Sequence, residues 1–71
     1  MYYEINVSKK TSAGYRHFFA TAERSLSSEL QALTVLQALL TAFPEPEYNI
    51  SLTRWEHKGQ GINIKKLIKK I

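Results

Sequence analysis

Hydrophobic and polar residues alternate from Tyr2 to Ser8, with Tyr3, Ile5 and Val7 on one side and Tyr2, Glu4 and Asn6 on the other. A period of two is that of a half-buried strand. Lys9-Lys10-Thr11-Ser12-Ala13-Gly14 is polar and ends in glycine, a hairpin connection to a second strand over Tyr15 to Ala22. Phe18 and Phe19 are adjacent in that strand, and only one can face a core unless a bulge intervenes. The period then lengthens. Ser25-Leu26-Ser27-Ser28-Glu29 reads as a helix start, with Ser28 and Gln31 at capping-box spacing, and Pro44 and Pro46 stop the helix at about Phe43. Ala32, Leu33, Val35, Leu36, Leu39, Leu40 and Phe43 fill roughly half its circumference, leaving Gln31, Thr34, Gln37, Ala38 and Thr41 opposite.

Alternation returns from Tyr48 to Trp55, where Ile50 and Leu52 oppose Asn49, Ser51 and Thr53. Glu56-His57-Lys58-Gly59-Gln60-Gly61 reads as a turn into a short strand around Ile62 and Ile64. The last seven residues place Leu67, Ile68 and Ile71 on one helical face and lysines on the other. The pattern predicts an α+β, two-layer β-β-α-β-β fold. Its antiparallel-rich sheet carries one main helix on one face, with a short C-terminal helical tail. It is expected to form a single domain over 1–71, with a core of about 1–64 and a basic amphipathic tail at 65–71.

Length sharpens this reading. Seventy-one residues support one modest core, and a core of that size rarely supplies more than ~3–5 kcal/mol. There is no cysteine, so no disulfide supplements it, in keeping with a reducing cytoplasm. The N-terminus lacks the basic start and apolar run of a secretory signal, and no apolar stretch approaches the length of a membrane span. The expectation is a cytoplasmic protein without integral membrane association. The net charge of +4 is concentrated late in the chain: Lys58, Lys65, Lys66, Lys69 and Lys70 follow Glu56 with no acid among them. Such a positive end attracts nucleic acid, acidic protein or anionic lipid without choosing among them.

The chemical inventory argues against catalysis. The chain has neither Cys nor Asp, and its only imidazoles are His17 and His57. No nucleophile-elbow sequence accompanies them, and the usual Cys and His metal spacings are absent. Gly59-Gln60-Gly61 lacks the remaining glycine and the lysine of a phosphate loop, so a plain hairpin turn is the better reading and no cofactor is expected.

Three features could carry binding instead. The helix has a wider apolar stripe than one sheet requires. Leu33 on one flank and Val35 and Leu39 on the other could meet a partner or a second copy in a homodimer, unless Leu67, Ile68 and Ile71 cover them within the monomer. On the sheet surface opposite the helix, Tyr2, Glu4, Asn6, Asn49, Ser51, Thr53 and Trp55 share one side if the alternation holds across strands. Tyr and Trp there suit protein recognition or base stacking, although β propensity alone also places them on strands. The lysine tail could meet phosphate, or it could simply be a solvated helix face.

The segments His17-Phe18-Phe19-Ala20-Thr21-Ala22-Glu23-Arg24-Ser25 and Tyr48-Asn49-Ile50-Ser51-Leu52-Thr53-Arg54-Trp55-Glu56, with the capped helix between them, resemble small phage and prophage accessory proteins. That group includes some anti-CRISPR and other anti-defence inhibitors. The resemblance rests on size and element order and implies stoichiometric binding to a host protein complex in the host cytoplasm. The expected function is therefore a non-enzymatic protein-binding accessory or inhibitor acting by steric occupation, with Tyr2, Arg54 and Trp55 as contacts. The alternative is a basic nucleic-acid-binding module using Lys65, Lys66, Lys69 and Lys70 together with the aromatic face.

Overall fold

The structure, a computed structural model, describes residues 1–69; Lys70 and Ile71, both assigned above to the tail, lie outside the described residues. The elements run β1 (Tyr2–Thr11), β2 (Gly14–Ala20), α1 (Glu29–Ala42), β3 (Tyr48–Trp55), β4 (Gly59–Ile62) and α2 (Ile64–Lys69). The four strands form one antiparallel sheet in the order β2-β1-β3-β4, so the chain's first strand is central. This is the expected α+β architecture.

Registers follow the hydrophobic pattern. Ile5 pairs with Leu52 and Val7 with Ile50, while Leu52 also pairs with Ile62, so one face of the sheet is apolar across three strands. Against it α1 lays Ala32 and Leu36, and Tyr3, Ile5, Leu26 and Leu52 complete a core cluster. Ile5, Val7, Leu36 and Leu52 are enclosed almost completely, each worth about 1.5–3 kcal/mol by burial. Ile64 and Leu67 of α2 pack against the same cluster, so the tail is anchored to the domain and its boundary falls one residue earlier than the expected core limit.

A bulge resolves the adjacent phenylalanines of β2. Val7 pairs with Phe19 but Ser8 with His17, leaving Phe18 as the extra residue. Both rings thereby reach the C-terminal end of α1: Phe19 lies 5.3 Å and Phe18 5.9 Å from Phe43, centroid to centroid, and Tyr48 joins them at 5.0 Å from Phe43. Past Ala20 the chain leaves the ladder. Thr21 donates its amide to the Ile5 carbonyl and accepts the Ile5 amide on Oγ1, and the Leu26 carbonyl takes the Tyr3 amide, so the first half of β1 stays satisfied on that edge.

Three local expectations need correction. The second strand ends at Ala20, two residues early, because the Thr21 side chain substitutes for a ladder bond. The capping box forms only by half: Ser28 Oγ accepts the Gln31 amide, but the Gln31 side chain accepts from the Ser27 amide and hydroxyl rather than from Ser28. Gly59-Gln60-Gly61 is not the turn but lies in β4, and Ile64 opens α2 instead of extending the strand. The reversal of direction is made by Glu56 to Lys58, with the Glu56 amide bonded to the Lys58 carbonyl. At the other hairpin Gly14 has φ +113°, a conformation that glycine adopts without strain.

Candidate functional site: the open face of the sheet

Because α1 and α2 both pack on one side, the other side of the sheet is uncovered by any described element. Cross-strand pairing places Tyr2 beside Trp55, Glu4 beside Thr53, Asn6 beside Ser51 and Ser8 beside Asn49, so all seven residues expected on this surface do share it. Between its ends the face is made of polar side chains, Glu4, Asn6, Ser8, Asn49, Ser51 and Thr53. One end carries an aromatic row.

Trp55 is held there by what surrounds it. Its cross-strand neighbour is Gly59, and a Cβ on that glycine would lie 2.7 Å from Cη2 and 2.9 Å from both Cζ2 and Cζ3 of the indole. Near-equal distances to three consecutive ring atoms mean that the benzo ring lies face down on the glycine. A side chain at position 59 would displace it, which is a physical reason for glycine at the start of β4. The Tyr2 ring runs nearly parallel to the indole, at 20° and 6.4 Å between centroids, within the range of offset aromatic pairs. Trp55 Nε1 donates to Glu4 Oε1 at 3.3 Å, and Asn6 Nδ2 donates to the same oxygen at 3.1 Å. Arg24, at φ +62°, brings its guanidinium carbon to 5.9 Å from the Tyr2 ring centre, a cation–π distance. A shallow hollow of about 280 Å³ beside the row is lined by Met1, Tyr2, Arg24, Ser27, Trp55 and Glu56.

The remaining candidate residues are dispersed. Arg54 pairs with Tyr3 and Gln60 and so alternates to the helix side, where its guanidinium lies 3.4 Å from Gln60 Oε1; it does not share a face with Tyr2 and Trp55. Lys65, Lys66 and Lys69 are exposed on α2, which Ile64 and Leu67 fix to the helix side of the sheet. The lysine tail and the aromatic row therefore belong to different layers of the domain. Val35 and Leu39 are half-buried against the core, and Leu33 is also half-buried. The helix residue that protrudes is Leu30, 74% exposed, beside an apolar groove of about 390 Å³ that includes Leu26 and Val35. Sequence reading missed Leu30 because it precedes the periodic stripe, and missed Arg24 because a positive-φ loop residue has no periodicity to reveal where it reaches.

His17 is exposed on β2 opposite Ser8, and His57 lies in the β3–β4 turn. Among the described residues no group of three His, Cys, Asp or Glu could hold a metal ion, and no helix is long and apolar enough to cross a membrane. Comparison with protein-family models, with curated proteins and with solved structures finds no match for this chain.

Proposed function

We propose that this protein is a small, non-enzymatic, cytoplasmic binding module that occupies the surface of a partner protein with the open face of its sheet. The observation that carries the reading is the seating of Trp55: the indole lies flat on Gly59, is tied through Nε1 to Glu4 and is flanked by Tyr2, on a face no other described element covers. A large ring fixed before contact loses little conformational freedom on binding, and aromatic side chains in this situation are the usual energetic centres of interfaces. The resemblance to phage accessory proteins directs the search for a partner to host protein complexes, defence complexes included.

The test is affinity capture from bacterial lysate with the tagged protein and with Trp55→Ala, run with and without nuclease and at low and high salt. The expected result is a protein partner that survives nuclease and salt with the wild type and is lost with Trp55→Ala, while the far-ultraviolet spectrum of the variant stays that of the wild type. Unchanged capture by a folded Trp55→Ala protein refutes the assigned role of the face. Recovery of nucleic acid alone, abolished by moderate salt, refutes it too and moves the interaction to the exposed lysines of α2.

A further inference from the structure

The interior of the open face carries one charge, and it is negative. Glu4 sits among Tyr2, Asn6, Thr53 and Trp55 and forms no salt bridge among the described residues, where the one ion pair is Arg24 with Glu23. Both hydrogen bonds that Glu4 accepts fall on Oε1, from Asn6 and Trp55. Oε2 accepts none among the described residues and faces solvent. Beside this carboxylate the indole has one face on Gly59 and the Tyr2 ring nearly parallel at its flank, and it remains partly exposed. The chain's own Arg24 serves the Tyr2 ring, and no described cation lies over the indole.

A solvent-facing carboxylate oxygen without a protein partner, next to a partly exposed indole, is a site for a planar cation. We infer that the partner protein presents an arginine to this face, its guanidinium lying over Trp55 and donating to Glu4 Oε2. Guanidinium suits both halves of the site, because it stacks flat on aromatic rings and donates in its own plane to carboxylates, whereas an ammonium does only the second as a point charge. Charge at the site itself selects the same partner over nucleic acid: a phosphate there would meet Glu4, while Lys10 and Arg24 stand toward the ends of the face and the lysines of α2 belong to the other layer. This inference rests on the open face being the docking surface.

Trp55 is the only tryptophan, so its fluorescence reports the site directly. The probes are acetyl-Gly-Arg-Gly-amide and the same peptide with citrulline or lysine in place of arginine, titrated into the millimolar range at constant ionic strength. The expected result is a saturable change in Trp55 emission, and a shift of its indole N–H resonance, with the arginine peptide; lysine is weaker and citrulline inert. Glu4→Gln should weaken the arginine peptide about tenfold, the loss of one charge-assisted hydrogen bond, with the circular dichroism unchanged. A response shared equally by arginine and citrulline, an undiminished response in Glu4→Gln, or no saturable response overturns the inference. So does the same Trp55 response to a single-stranded oligonucleotide in place of the arginine peptide. If Trp55→Ala abolishes protein capture while the arginine peptide leaves Trp55 unmoved, the docking face stands and only the guanidinium falls.

Discussion

Glu4 and Ile5 are neighbours in one strand and belong to two surfaces with opposite physical demands. Ile5 is wholly enclosed between the sheet and α1, where neighbours on every side fix its volume. Glu4 lies on the open face, where its contacts are two side-chain hydrogen bonds at the edge of solvent. Among the described residues, all seven buried apolar ones belong to the first surface or to the loop beneath it. The fold is thus held from one side of the sheet, and the other side is left to chemistry that folding does not require.

Substitutions on the two surfaces should differ in their cost to the fold. The largest effect belongs to Ile5→Ala, which leaves a cavity in a closed core and should cost about 2–5 kcal/mol, as much as so small a core supplies; urea denaturation should find the variant largely unfolded at room temperature. Gly59→Ala comes next. Its Cβ enters the space of the indole, and because the ring can lift toward solvent the cost is about 1 kcal/mol, at the low end for overpacking; a red-shifted Trp55 emission from a folded protein is the expected sign. Glu4→Gln should change stability by no more than about 0.5 kcal/mol, as for most surface substitutions, because the amide oxygen can still accept from Trp55 and Asn6. A Glu4→Gln variant as unstable as Ile5→Ala would erase the distinction between the two faces.

The distinction was legible in the sequence because period-two alternation survives pairing: β1 and β3 each separate apolar from polar positions, and their register keeps the sets together. The same rule, applied without exception, separates Arg54 from Trp55, which proximity in sequence had joined. What could not be read depends on shape. The flat seat of Trp55 needs a glycine directly across the ladder, and that pairing exists only once β4 begins at Gly59 instead of beyond Gly61. Two glycines in six residues carry a stronger turn signal than strand signal, and the steric role of Gly59 has no local signature. The double use of Phe18 and Phe19 is different: the adjacent pair pointed to a bulge, and only its partner, Phe43, waited for the helix to be placed.

The central position of β1 also governs the order in which the chain can fold. Its pairing with β2 needs only a short turn, but its pairing with β3 runs from Lys9 and Tyr48 to Tyr2 and Trp55, across most of the chain. Contacts so distant in sequence slow folding, since a long loop must close before they return any energy. During synthesis the first hairpin leaves the ribosome roughly two to seven seconds before β3 exists, at ~5–20 residues per second. For that interval one edge of β1 has no strand beside it, and until α1 is complete Ile5 and Val7 have no helix above them. The first two strands must therefore remain soluble on their own, and Lys9, Lys10 and Arg16, gathered at the end of that hairpin, give the waiting segment a charge that discourages it from pairing with another copy.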